Sequence, residues 1–124
     1  MYILAINGSH RAGKGTAALL NAVLDTASHQ GATGELIELS HLDLRFCCGC
    51  NKCLGTNRCT IHDDMDMLYE KMMRADGIVL GSPVYFGNVS ARMKCFMDRT
   101  RPLHMVDNAL AGKVGGMVTT SGLP

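Results

Sequence analysis

Several things are scarce in this chain, and each shortage excludes something. Aromatic residues make up 5% of its 124 residues, so rings cannot fill the core; nine methionines provide an adaptable filler instead. The formal net charge is only +1, which leaves no basis for bulk nucleic-acid or anionic-membrane binding. No apolar run approaches the ~20 residues of a membrane-spanning helix. The opening Met1-Tyr-Ile-Leu-Ala-Ile has neither a basic leader nor a small-residue cleavage site. It reads as a first strand rather than a signal peptide, and a cytoplasmic location is expected. Internal repeats, low-complexity runs and linkers are absent, so one domain over 1–124 is expected. The 47% hydrophobic and 19% charged content still permits an ordinary globular core.

Cysteine is not scarce. Five of the six fall between positions 47 and 59. Cys47, Cys50 and Cys53 keep a C-x₂-C-x₂-C rhythm, and Cys59 follows. In a reducing compartment such a cluster points to metal ligands or redox groups rather than a disulfide framework. Cys48 is adjacent to Cys47 and would point elsewhere. Cys95, on a predicted helix, reads as packing. Gly49 and Gly55 relieve a loop that must wrap a bulky centre. Four thiolates suit a [4Fe–4S] cluster or a closed tetrahedral zinc site, and unmetallated reduced thiols remain the plain alternative. The five histidines show no ligand spacing; His62, close to Cys59, reads as a solvated loop residue.

The rest of the chain alternates strands and helices. Positions 2–7 form an apolar run suited to a strand buried on both faces. A glycine-rich basic loop over 8–15 leads to a helix over 16–30, with Leu20, Val23, Leu24 and Ala27 on one face. A second strand is predicted over 35–39. After the cysteines, Asp63 and Asp64 start a helix with the stripe Met65, Leu68, Tyr69, Met72 and Met73. A third strand over 77–81 is ended by Ser82-Pro83. A third helix follows over 89–100 with Met93, Phe96 and Met97 inward, and a fourth strand over 113–120. This predicts an α/β, flavodoxin-like, doubly wound parallel sheet in the order 2-1-3-4-5 with the fifth strand and last helix missing. Strand four would then be a bare edge, so a longer parent chain or a covering partner is expected.

Ligands of open α/β sheets bind beyond the carboxyl ends of the strands. The loop Gly8-Ser-His-Arg-Ala-Gly-Lys-Gly-Thr has glycines, hydroxyls at Ser9 and Thr16, and charge at Arg11 and Lys14. No acidic residue lies between Gly8 and Leu24. A phosphate monoester is the natural guest at this helix start. The same residues resemble a Walker A loop, which keeps a P-loop nucleotide kinase open. Against that, Asp76 precedes its strand and no acidic magnesium ligand stands at a strand end. Tyr85 and Phe86, in the loop after strand three, suit the edge and face of a planar ring such as a flavin, or else plug the end of the sheet.

Taken together these stretches resemble the iron–sulfur flavoprotein branch of the NADPH-dependent FMN reductase family. The matching pieces are 7–16, the four spaced cysteines, Asp63-Asp64-Met65, 75–99 and Lys113-Val-Gly. Relatives usually have Pro in place of His10 and Asn in place of Gly15. The resemblance implies that Ser9, His10, Arg11, Lys14, Gly15 and Thr16 hold the FMN phosphate. Pro83, Val84, Tyr85, Phe86, Gly87 and Asn88 would contact the isoalloxazine, and Thr120 and Ser121 would begin a third loop. It further implies a [4Fe–4S] cluster on Cys47, Cys50, Cys53 and Cys59, with NAD(P)H or a ferredoxin-like protein as electron donor. A homodimer or homotetramer is implied too. The expected role is electron relay between cluster and FMN, with no catalytic side chain beyond the cofactor sites. A cluster-free FMN or quinone reductase and a non-catalytic metal-binding module are the alternatives. The cysteine segment follows strand two, so it is expected at the same end of the sheet as the ligand loops.

Overall fold

The computed structural model describes residues 1–105 and 107–122. In order, the chain forms β1 (Tyr2–Asn7), α1 (Gly15–His29), β2 (Thr33–Glu38), a 3₁₀ turn (Leu39–His41) and α2 (Cys53–Thr56). Then come α3 (Met65–Arg74), β3 (Gly77–Pro83), α4 (Ala91–Arg99), α5 (Arg101–His104) and β4 (Val114–Thr120). All strand pairs are parallel, in the order β2-β1-β3-β4. This is the flavodoxin-like order expected from the sequence, as far as its fourth strand.

The central strand β1 is apolar because both of its faces are covered. Leu4, Ala5 and Ile6 are fully buried. Leu4 and Ile6 belong to a core with Ile37, Leu39, Met65, Leu68, Met72, Met93 and Phe96, which places α3 and α4 on their face. The other face takes α1 at close range. A Cβ on Gly81 would stand 2.6 Å from Leu20 Cδ1, and one on Gly34 2.7 Å from Leu24 Cδ2. Glycine is needed at Gly81 so that helix and sheet can touch. No helix among the described residues is long and apolar enough to cross a membrane.

Several boundaries differ from the sequence reading. β2 starts two residues early, and Leu39 leaves the strand to turn inward, fully buried. β3 runs on through Ser82 and Pro83, which lie in register with Thr119 and Thr120. The lost N–H of proline is tolerated at a strand's last residue. Met73 and Met97 lie on the edges of their helical stripes, 49% and 41% exposed, and not in the core. Strand β4 is exposed along most of its length, with Val114 at 65% and Met117 at 70%.

Candidate functional site

Three chain segments meet at the carboxyl ends of β1, β3 and β4. Gly8 donates its N–H to Gly81 O at 2.7 Å, and Ser90 Oγ donates to Gly8 O at 2.6 Å. Val84 N donates to Thr120 O at 2.7 Å, and the Thr16 and Thr120 hydroxyls are 2.9 Å apart. Tyr85 OH lies 3.0 Å from His10 Nδ1. Gly8 must be glycine here, since a Cβ would stand 2.7 Å from Met93 Cβ. Within the loop, Asn7 Oδ1 accepts from Ser9 N and Ser9 Oγ accepts from Arg11 N. Glu38 arrives from β2 and props the loop, accepting from Asn7 Nδ2 at 2.6 Å and Gly13 N at 3.2 Å.

The loop delivers an unguarded helix start. Lys14 is the N-cap of α1 and makes no side-chain cap, and the first turn has no acidic residue. The first N–H groups of a helix lack intrahelical acceptors and sit at the positive end of its dipole. Arg11 and Lys14 are exposed beside them, whereas Ser9 and Thr16 are buried. The loop after β3 is tighter. Tyr85 and Asn88 exchange backbone hydrogen bonds around Phe86 and Gly87, which have φ of 49° and 71°. A two-residue turn with both φ values positive strains a non-glycine residue. Phe86 accepts that strain while fully exposed. Thr120 ends β4 and Ser121 follows it; the continuation of this third segment past Gly122 lies outside the described residues.

The cysteine segment is carried along α4. From the 3₁₀ turn the chain runs alongside α4. Arg92 Nη1 donates to Leu39 O, Cys95 Sγ lies against Leu44 O and Arg45 O, and Arg99 Nη1 reaches Arg45 O at 2.7 Å. The order 92, 95, 99 on the helix follows 39, 44, 45 on the segment. The segment is therefore carried from the first turn of α4 to its last, a rise of roughly 12 Å at 1.5 Å per residue. Buried Leu39 and the Leu44–Cys95 contact bind the chain to the side of α4, and Asp63, just before α3, meets Arg99 there.

There Cys47, Cys48, Cys50, Cys53 and Cys59 all line one pocket, with Thr60, Ile61, Arg99, Arg101 and Pro102. Cys48 thus lies with the others, although its spacing set it apart. Backbone N–H groups of Gly49 and Ile61 donate to Cys47 Sγ and Cys59 Sγ, each at 3.4 Å. The Lys52 N–H and the Thr60 hydroxyl hold the Cys50 thiol below its ordinary pKa. Three turns of positive φ, at Gly49, Asn51 and Asn57, fold the segment back on itself. Among the described residues no three Cys, His, Asp or Glu side chains converge on a single ion. Cys95 is buried against backbone carbonyls, and burial raises its thiol pKa. His62 is 81% exposed and pairs with Asp66.

Arg99 closes the base of this pocket. Its side chain and that of Asp63 are 0% and 1% exposed and pair at 2.7 Å. The guanidinium also donates to Arg45 O and Ile61 O, one on each side of the cysteines. Asp63 in turn accepts from Arg45 N and Met65 N. Burial pushes the Asp63 carboxyl upward, but Arg99 and these N–H groups outweigh it and hold the carboxyl at about 2. Burial likewise opposes the Arg99 charge, and Asp63 more than restores it.

Residues 1–124 match the family described as NADPH-dependent FMN reductase. The chain belongs to that family. It is 45% identical over 118 residues to an iron-sulfur flavoprotein of Methanocaldococcus jannaschii, covering 95% of this chain and 61% of that protein. An iron-sulfur flavoprotein of Methanosarcina thermophila is 37% identical, covering 98% and 64%. The chain thus spans a little over 60% of the length of these curated relatives. Among solved structures, the apo form of the NADH:FMN oxidoreductase EmoB is 25% identical with a TM-score of 0.70, covering 99% of this chain and 59% of that one. The family match leaves the nucleotide-kinase reading of 8–16 without support.

The strand-end segments of the family fold bring Ser9, His10, Thr16, Pro83, Val84, Tyr85 and Thr120 together, as the contacts above show, with Arg11, Lys14, Gly15, Phe86, Gly87 and Asn88 on the same loops. Two participants escaped the sequence reading. Glu38 is an isolated acid on a strand, and only the β1–β2 register sets it beside the loop. Arg99 lies 36 positions from Asp63. An arginine flanked by Asp98 and Thr100 gives no sign of burial; its only signal was a position one turn beyond Phe96 on the inward face.

Proposed function

We propose that this chain is the FMN-holding core of an NAD(P)H-dependent electron-transfer oxidoreductase. The observation that carries the reading is the convergence of three strand-end segments on one uncapped helix start. The donor chemistry fits a phosphate monoester. Backbone N–H groups at Gly15 and Thr16, the Ser9 and Thr16 hydroxyls, His10, and the charges of Arg11 and Lys14 would hold it. Pro83, Val84, Tyr85, Phe86, Gly87 and Asn88 would cover the ring, with Thr120 and Ser121 at its margin. The strained, exposed Phe86 is an apolar plate held ready for a flat partner. FMN supplies a centre that takes two electrons and passes them on singly or together. The residues here bind and orient it; none is assigned a proton.

The cysteine pocket fits a [4Fe–4S] cluster on Cys47, Cys50, Cys53 and Cys59. All four line one pocket, two sulfurs already receive backbone N–H groups, and a buried guanidinium faces the same space. Such hydrogen bonds to sulfur are among the features that tune clusters. A cluster supplies one-electron steps. The two sites would then stand at the two ends of α4, so relay within a chain would cross about the length of that helix. The names of the relatives, iron-sulfur flavoprotein and NADH:FMN oxidoreductase, support both halves of the reading.

The experiment is a pair of titrations, with FMN and with riboflavin, on the protein and on an Arg11→Ala/Lys14→Ala variant. FMN binding is expected to weaken at least tenfold in the variant, and riboflavin, which lacks the phosphate, to bind both proteins alike. Equal losses for the two ligands would contradict the phosphate assignment.

A further inference from the structure

The hydrogen bonds of Arg99 leave one donor over. A guanidinium carries five N–H groups in a fixed fork. Nη1 donates to Arg45 O and Asp63 Oδ2, and Nη2 to Ile61 O and Asp63 Oδ1. Nε is buried and has no acceptor among the described residues. Yet Arg99 lines the pocket formed by the cysteines. A buried donor in a protein interior is nearly always matched by an acceptor. Five cysteines line the pocket that Arg99 shares, together with Asn51, Thr60 and Asp98, and the Asp98 carboxylate is already paired with Lys94.

We propose that Arg99 keeps its Nε–H for the sulfur-bearing group held by Cys47, Cys50, Cys53 and Cys59, and that the oriented Arg99–Asp63 pair sets that group's reduction potential. The inference rests on the cluster reading above. Four thiolates give a [4Fe–4S] centre a net negative charge, and each added electron deepens it. A positive charge and an N–H donor at the sulfur therefore favour the reduced form more than the oxidised one. Asp63 lies behind the guanidinium and acts with the opposite sign. Arg99 is thus a positioning and tuning residue. It ties Arg45 to Ile61 across the base of the loop and points charge at what the loop encloses.

The test uses the full chain, reconstituted anaerobically with iron and sulfide and titrated with dithionite as the one-electron donor. Iron and acid-labile sulfide are counted for each protein. Arg99→Gln is expected to disfavour one-electron reduction about tenfold, which is a potential lower by ~59 mV. Asp63→Asn is expected to shift it upward by a comparable factor, and Arg99→Lys, which keeps the charge, to fall by less than Arg99→Gln. A clamp with only a structural role would lower iron content in all three without opposite-signed shifts, and that result overturns the proposal. If Arg99→Gln takes up no cluster, the Asp63→Asn potential decides: unchanged or lowered, it overturns the proposal. Wild-type protein that takes up no iron overthrows the cluster reading and this inference with it. Wild-type protein with a cluster whose potential both variants share overthrows this inference alone.

Discussion

Helix α4 begins at one candidate site and ends at the other, and its two ends are built differently. At its start, Ser90 caps the helix by accepting from Met93 N at 3.0 Å and donates to Gly8 O. The framework there is strand-end backbone, Gly8 N on Gly81 O and Val84 N on Thr120 O, with side chains of Asn7, Glu38, Thr16 and Thr120 bridging it. At its finish, a buried long-range ion pair between Arg99 and Asp63 helps hold both arms of the cysteine segment. The first site is supported by the paired ends of three strands. The second makes no strand pairing and only a one-turn helix, so side chains hold it: the Arg99–Asp63 pair, Arg45 Nη2 on His62 O and Arg101 Nη2 on Asn51 Oδ1.

That contrast can be broken by substitution, and the largest effect is expected at the finish of α4. Asp63→Ala strands a buried guanidinium and should destabilise the protein by about 3–5 kcal/mol, measured by chemical denaturation. At the other end, Gly8→Ala forces a methyl against Met93 Cβ and should cost about 1–3 kcal/mol while leaving iron uptake intact. A comparable loss of iron uptake would show that the two ends are not independent.

Acid sharpens the same comparison. The Asp63 carboxyl is depressed from an ordinary 3.8 to about 2 in the folded state. Its contribution is therefore complete above about pH 4 and is lost as pH falls through 2. The shift corresponds to roughly 2 kcal/mol. Denaturation curves between pH 5 and pH 2 should show this loss in the wild type, and the part due to this residue should vanish in Asp63→Asn. The smallest effect on stability belongs to Phe86→Ala. The ring is fully exposed, so the free energy of unfolding should change by no more than ~0.5 kcal/mol, while FMN binding, followed by flavin fluorescence, weakens several-fold.

The same contrast explains what could be read from the sequence. Gly8 to Thr16 and Val84 to Asn88 are local: glycine, hydroxyl and aromatic residues stand next to the strand ends that use them. The apolar runs of β1 and β3 likewise announce buried parallel strands, and the strand order followed. The cysteine rhythm was equally visible, but not its place. Position along the chain put it after β2, at the carboxyl end. Contacts from Leu39, Leu44 and Arg45 to residues of α4 lay it along that helix. Pair interactions across tens of residues leave no local pattern, which is why Arg99 and Glu38 went unseen. Met73 and Met97 were misplaced for a simpler reason: methionine at the margin of a helical stripe tolerates exposure, so periodicity alone overextends the core.

By this reading one chain holds a flavin at the start of α4 and a four-iron centre at its finish. The most direct measurement is the absorption spectrum of anaerobically purified protein, before and after dithionite, with FMN and iron counted on the same sample. One FMN and about four irons per chain are expected, with flavin bands on a broad iron–sulfur background that both bleach on reduction. A colourless protein carrying zinc, or one carrying flavin without iron, would contradict it.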